Sequence, residues 1–161
     1  MIIYKSFIFS NFNCCPVIWH FCSKRSTTKM EKIQERALRF VTDDFESPLE
    51  NLLTKTNSTL LHANRIKLIA KETYKILHKQ SPFYIQNLVN FEEQTYNFRR
   101  EMQAHQPNVT TTKYGLKSFC YEAPRIWNSL PNEIRQADNY RLFVRLLQTW
   151  ENPLCNCLVC R

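Results

Sequence analysis

The stretch that decides the fold is TKMEKIQERALRFV, residues 28–41. Plotted at about 100° per residue, it separates an apolar helix face from a basic strip roughly 120° away. The apolar face is predicted to pack against the rest of the protein and consists of Met30, Ile33, Ala37, Phe40 and Val41. The basic strip is predicted to face solvent and consists of Lys29, Lys32, Arg36 and Arg39.

Two capping signals mark where helices begin. Thr28 and Glu31 have the spacing of a capping box, which predicts a helix over residues 29–41. Farther on, Ser47 is the expected N-cap of a second, short helix, with Pro48 in the first helical position where its missing N–H costs nothing. The leucines that follow make this second helix a buried one.

Residues 59–79 form the longest periodic run of the chain. Apolar side chains recur on one side, and lysines recur at strict i, i+4 steps on the other, which is typical of an amphipathic helix. This pattern predicts a second basic ridge, made of Lys67, Lys71, Lys75 and Lys79.

The carboxyl half is more mixed. Residues 109–114 and 117–121 are rich in β-branched and aromatic side chains around Gly115, which predicts a small β-hairpin, and a last helix should run from an Asp138 cap to Trp150. The sequence therefore predicts a mainly α fold, an amphipathic helical bundle with a small β-hairpin in the carboxyl half.

Composition shifts divide the chain into three parts. Residues 1–90 form a helical region, residues 91–154 a mixed carboxyl extension, and residues 155–161 a cysteine-rich tail. The first two parts meet at a polar stretch that lacks helical periodicity, which is typical of a linker or loop.

Composition also excludes several function classes. The chain has 161 residues and a single glycine, whereas phosphate-cradling loops and dinucleotide-binding turns need several. The amino terminus has no secretory signal pattern, and no window reaches the roughly 18 apolar residues of a membrane span, so we expect an intracellular protein without a membrane segment. With 22 Lys and Arg against 14 Asp and Glu, the net charge is +8, which favours a polyanionic partner.

Catalytic constellations are weak. Asp43 and Asp44 superficially match the paired carboxylates of polymerase palm domains, but those lie on a tight β-hairpin and hold divalent metals, whereas this pair follows an amphipathic helix. We interpret it as a helix C-terminal turn. The four histidines are scattered and suggest no hydrolase or transferase, so we expect no enzyme activity from this chain alone.

The cysteine tail contains Cys155, Cys157 and Cys160, three thiols close enough in sequence to converge on a tetrahedral zinc ion. A fourth ligand is missing nearby and would have to come from His105, His20, Cys120, a second chain or residues beyond Arg161. The alternative is that the seven cysteines are reduced, unpaired thiols, and the sequence leaves both interpretations open. No other cofactor is indicated.

The two basic strips could follow a phosphate backbone, with an affinity that depends on salt and not on base sequence. The alternative is an ordinary solvated helix face, since glutamates lie nearby. The aromatic residues that could stack on bases are more often core residues at such spacing; they are Trp19, Phe21, Trp127 and Trp150.

Several phrases in a fixed order extend the argument beyond composition. They are FIFS at 7–10, CPVIW at 15–19, EKIQERALRF at 31–40, WNSLP at 127–131, and the terminal Trp150 with its cysteine tail. In this order the chain resembles the carboxyl-terminal, thumb-like and post-thumb region of reverse transcriptases from jockey-like non-LTR retrotransposons.

The resemblance implies a fragment of an RNA-directed DNA polymerase that lacks the catalytic palm. Lys32, Arg36 and Arg39 match the thumb-like helix and are expected to contact the backbone of RNA or an RNA–DNA hybrid. The terminal cysteines depart from the complete Cys-Cys-His-Cys knuckle of some related elements. A different hypothesis, from a different class, is a helical protein-interaction module without nucleic-acid binding.

Overall fold

The computed structural model describes residues 2–91, 103–112 and 114–150. Helices dominate these residues, so the prediction of a mainly α fold is confirmed. In the described ranges the β-structure is one isolated antiparallel bridge between Phe91 and Ala104. The α-helices are α1 Ser10–Phe12, α2 Pro16–His20, α3 Lys24–Thr42, α4 Leu49–Lys55, α5 Leu61–Leu77, α6 Phe119–Ser129, α7 Asn132–Arg135 and α8 Tyr140–Thr149, and a π-helical segment Tyr4–Phe9 precedes α1.

The described chain divides into two compact units, an amino unit of residues 2–66 and a carboxyl unit of residues 67–150, with the boundary inside α5. The predicted division at residues 90 and 154 is a different one and stays a prediction. In the amino unit, Tyr4, Leu38 and Leu52 form a buried cluster that joins the π-helical segment, α3 and α4.

The carboxyl unit has an aromatic core. The ring centroids of Tyr74 and Phe143 lie 4.4 Å apart, and those of Trp127 and Phe143 lie 5.9 Å apart. All three side chains are fully buried, and the Tyr74 hydroxyl donates to the carbonyl of Ala137 at 3.2 Å. This core joins α5, α6 and α8.

Helix α3 begins earlier than its sequence predicts. Its N-cap is Ser23, whose Oγ accepts from the backbone N–H of Ser26 at 3.2 Å. Thr28 lies inside the helix, where its hydroxyl donates to the carbonyl of Lys24. Glu31 accepts instead from the backbone N–H of His62 at 3.1 Å. The predicted capping box is therefore wrong, because an earlier cap was available.

The predicted apolar face of α3 is only partly buried. Ala37 packs against the Tyr4, Leu38 and Leu52 cluster, and Met30 is half-buried. The residues that α3 buries are Thr27, Gln34 and Leu38, whereas Phe40 is 75% exposed and Ile33 is 51% exposed. Gln34 is buried because it has partners: its Nε2 donates to the carbonyl of Thr59 at 2.9 Å and to the Tyr4 hydroxyl at 3.3 Å. The amide nitrogen of this buried side chain is therefore hydrogen-bonded, whereas its Oε1 has no partner among the described residues.

The β-hairpin predicted over residues 109–121 is wrong: the structure has turns there, followed by the first residues of α6. The described residues between 109 and 118 form turns, and α6 begins at Phe119. Gly115 donates its N–H to the Thr111 hydroxyl at 3.0 Å, and a Cβ at position 115 would lie 2.8 Å from the Thr111 carbonyl oxygen. The single glycine thus allows a close turn, and packing of α6 outweighs the β propensity of its aromatic residues.

Two other helix starts differ by one residue. The N-cap of α4 is Pro48 and not Ser47, whose N–H donates to the carboxylate of Asp44. The N-cap of α8 is Asn139, whose side chain accepts from the N–H of Leu142, and not Asp138. Among the described helices, none combines the length and apolar character required to cross a membrane.

Candidate nucleic-acid interface

One side of α3 carries four exposed cations in a row. Arg25, Lys29, Lys32 and Arg36, named here the α3 strip, lie about 180° around the helix from buried Gln34. Within the described residues, none of the four forms a hydrogen bond or an ion pair through its side chain. The sequence analysis missed Arg25, because it started the helix at Lys29; the i, i+4 step back from Lys29 was the signal that could have found it.

The spacing of the strip suits a linear polyanion. From Arg25 to Arg36 the helix rises roughly 16 Å, with one cation about every turn of 5.4 Å. The positive charges therefore reinforce one another at a distance comparable to the Debye length of about 8 Å in physiological salt. A chain of phosphates along this face would meet four donors without displacing an internal partner.

Arg39 was predicted to belong to the strip, but it is engaged inside the protein. Its Nη2 lies 2.7 Å from the Glu35 carboxylate, and its Nη1 donates to the carbonyl of Phe45. This pairing ties the end of α3 to the loop that follows. Arg39 would have to give up these contacts in order to bind a phosphate.

Apolar side chains lie next to the strip. Ile33 and Phe40 are exposed on the neighbouring face of α3, and the ring of Phe40 meets that of Phe45 edge to face, with centroids 5.7 Å apart. Exposed rings beside cations can stack on unpaired bases. Trp127 and Trp150 are buried, which agrees with their interpretation as core residues, whereas Phe21 is half-buried and Trp19 is 47% exposed.

The lysines of α5 have a different environment. Lys67 donates to the carbonyl of Gln148 at 2.9 Å. Lys75 pairs with Glu72 at 2.9 Å and its ammonium lies 5.5 Å from the centre of the Tyr140 ring; the hydrogen bond to Glu72 raises the pKa of Lys75. Lys71 is half-buried, and only Lys79, beyond the end of α5, is exposed. The predicted second ridge is thus partly engaged in packing of the carboxyl unit.

The aspartate pair lies at the C-terminus of α3, as its sequence interpretation requires. Asp43 is the C-cap with a left-handed backbone, φ 50°. Asp44 pairs with Lys55 and accepts from the N–H of Ser47 at 3.0 Å; the hydrogen bond to Lys55 is the main reason that its pKa falls well below the ordinary range. The backbone of Asp43 thus ends α3, and the carboxylate of Asp44 has structural partners.

The proposed zinc ligands Cys155, Cys157 and Cys160 lie outside the described residues. In the part of the chain that the structure describes, no three His, Cys, Asp or Glu side chains converge as a metal site. Cys14, Cys15, Cys22 and Cys120 are free thiols.

Comparisons with protein-family models, with curated proteins and with solved structures found nothing that matches this chain. A functional proposal therefore depends on the α3 strip and its surroundings.

Proposed function

We propose that this protein binds the phosphate backbone of RNA or of an RNA–DNA hybrid through the α3 strip. The observation that carries the proposal is the line of four exposed cations, which have no partner in the described part of the chain and lie on the face of α3 opposite its buried side. Phosphate contacts release condensed counterions, so binding should be strong at low salt and indifferent to base sequence.

The resemblance to the carboxyl-terminal region of jockey-like reverse transcriptases supports the same proposal. The phrase EKIQERALRF lies wholly on α3, and two of the residues that the resemblance expects to contact the backbone, Lys32 and Arg36, belong to the α3 strip. In this role the chain would grip a template and primer duplex inside the cell, while a palm domain supplied elsewhere would carry out polymerisation.

The proposed test is a salt titration of a labelled RNA–DNA hybrid against wild type and the double variant Lys32→Glu, Arg36→Glu. Each lost phosphate contact should reduce the slope of log affinity against log salt by about 0.9, so the slope should fall by nearly 2. Affinity should fall equally for hybrids of unrelated sequence. Circular dichroism would verify that both proteins fold.

The matched control is Arg141→Glu, Arg145→Glu. It makes the same change in net charge at two exposed positions of α8, one turn apart. The proposal expects this control to lower affinity much less than the α3 variant and to leave the slope nearly unchanged. Equal losses in the two variants would assign binding to net charge alone and would overturn the α3 strip as a site.

A second candidate function is protein interaction, favoured by the exposed Ile33, Phe40 and Phe45. Exposed large apolar side chains in one region often mark a partner surface. On this hypothesis the wild type would bind hybrid poorly at about 0.15 M salt, where charges farther apart than the Debye length are screened.

The chain alone should not extend a primer, since Asp43 and Asp44 have the surroundings of a helix end. Primer extension with Mg²⁺ or Mn²⁺ checks this expectation. Extension that disappears in Asp43→Asn would show that the aspartates hold catalytic metal after all.

A further inference from the structure

The amino unit contains a cavity of 290 Å³ that the nucleic-acid proposal does not use. It is lined by Asn11, Phe12, Trp19, Met30, Leu61 and Arg65, which belong to α1, α2, α3 and α5. Carbon atoms make up nearly all of its wall. Trp19 is 47% exposed, so one side of the cavity is reached from solvent.

Arg65 is the charged member of this lining, and it is only 3% exposed. Among the described residues, its Nε is buried without a hydrogen-bond acceptor, and its Nη2 lies 3.4 Å from the Nδ1 of His62. In the described ranges no carboxylate lies within ion-pair distance of this guanidinium. A buried cation is costly unless an anion and hydrogen bonds compensate it, so the site is incomplete as it stands.

The surroundings hold Arg65 in place. The His62 ring stacks on the buried His20 ring, with centroids 5.7 Å apart and planes 16° apart, and the His62 backbone N–H donates to Glu31. The guanidinium is thus positioned by residues from α2, α3 and α5. A ligand that reaches it would meet a preformed donor, which keeps the entropic cost of binding low.

We propose that this cavity binds a small aryl carboxylate. The ring would lie among Phe12, Trp19, Met30 and Leu61, and the carboxylate would accept from Arg65. A cavity of about 150 Å³ holds benzene, so the volume here suits one ring together with a short acid chain. The proposal is independent of nucleic-acid binding, because Arg65 is a residue of α5 that lines the cavity and does not belong to the α3 strip.

The test uses wild-type protein and two small aromatic ligands, one negatively charged and one neutral. Phenylacetate and phenylacetamide have the same ring and the same size, and they differ in the charge that Arg65 would recognise. Isothermal titration should show phenylacetate binding at least about tenfold tighter, as a charge-assisted hydrogen bond requires. Equal affinity, or no binding of phenylacetate at 10 mM, would overturn the proposal.

Variants locate the ligand. Met30→Trp places a larger side chain in the cavity wall and should abolish binding of phenylacetate. Ile18→Trp is the matched control, since Ile18 is exposed, lies on α2 and does not line the cavity; it should bind as wild type does. Unchanged binding in Met30→Trp would show that phenylacetate binds elsewhere and would overturn the site.

Arg65→Met removes the positive charge and keeps a side chain of similar volume, so phenylacetate and phenylacetamide should bind this variant with equal affinity. If this variant fails to fold, the wild-type comparison and Met30→Trp still decide the matter. Uridine and adenosine form a last arm, because an unstacked base is the other planar occupant. Tighter binding of either nucleoside than of phenylacetate would overturn the carboxylate assignment.

Discussion

The α3 strip and the lysines of α5 look alike in sequence and differ in the structure. Both place cations at helical spacing opposite apolar residues. On α3, four cations are exposed and have no partner among the described residues. On α5, Lys67 donates to Gln148, and Lys75 contacts both Glu72 and Tyr140. The same periodicity thus gives one surface that is available to a ligand and one that is partly used in packing.

The difference comes from what surrounds each helix. Most side chains of α5 are buried or half-buried, so its lysines lie with their stems along apolar surface and direct their charged ends to nearby acceptors. α3 buries a narrow line that includes Gln34 and Leu38 and leaves a wide face to solvent. Charge periodicity therefore predicts which residues share a face, but not whether that face is free.

The largest expected effect contrasts a buried phenylalanine that packs against α5 with an exposed phenylalanine on α3. Phe143→Ala should destabilise the carboxyl unit by about 3–5 kcal/mol, because Phe143 is fully buried against Tyr74 and Trp127. Phe40→Ala on α3 should change stability by less than about 0.5 kcal/mol, since its ring is 75% exposed. Urea unfolding of both variants measures the difference. A cost above about 2 kcal/mol for Phe40→Ala would mean that the sequence-predicted apolar face of α3 is the buried one.

Sequence predicted the helices whose periodicity is strong and missed features that depend on packing. The existence of α3, α4, α5 and α8 followed from apolar spacing and capping residues. α6 was missed because Phe119 and Tyr121 have high β propensity. In the structure this segment is helical, and its Trp127 packs on Phe143 in the aromatic core.

The cavity could not be found from sequence. Arg65 occupies a position on α5 whose neighbours Phe12, Trp19 and Met30 come from three other helices. Which of the basic residues on α5 is buried depends on how those helices meet, and residue spacing within α5 holds no such information. The α3 strip, by contrast, lies on one helix. The sequence predicted Lys29, Lys32 and Arg36, missed Arg25, and included Arg39, which pairs with Glu35.

A second prediction concerns the start of α3, which sets the length of the strip. Ser23→Ala should cost about 1 kcal/mol, because it removes the acceptor for the Ser26 N–H and frays the turn that carries Arg25. Thr28→Ala is the matched control and should be nearly neutral, since Thr28 lies inside the helix. Thermal unfolding followed by circular dichroism compares them. A larger loss of stability in Thr28→Ala than in Ser23→Ala would instead support the capping box predicted at Thr28.

A third, smaller effect compares one lysine from each helix. Lys75→Met should destabilise by about 0.5 kcal/mol, because it removes the i, i+3 pair with Glu72 and the contact with the Tyr140 ring. Lys29→Met should leave stability almost unchanged, while it lowers affinity for hybrid. Denaturant titration and the salt titration together test both halves. If Lys75→Met were as stable as wild type and lost as much affinity for the hybrid as Lys29→Met, α5 would also belong to the nucleic-acid interface.

The smallest expected effect concerns the Asp44 carboxylate, which lies just beyond the C-terminal end of α3. Asp44→Asn keeps an oxygen for the Ser47 N–H but removes the charge that pairs with Lys55, so the variant should be slightly less stable at pH 7. The pKa of Asp44 is lowered in the folded protein, so the unfolded chain takes up the proton first as pH falls. The stabilisation is therefore complete above the unfolded value of about 3.9 and declines as pH falls toward the lower folded value. Thermal unfolding of both proteins at pH 7, 4 and 3 should show a melting-temperature difference that narrows with acid. A difference that widens below pH 4 would mean that the Asp44 pKa is raised, and the ion pair with Lys55 would then have to be abandoned.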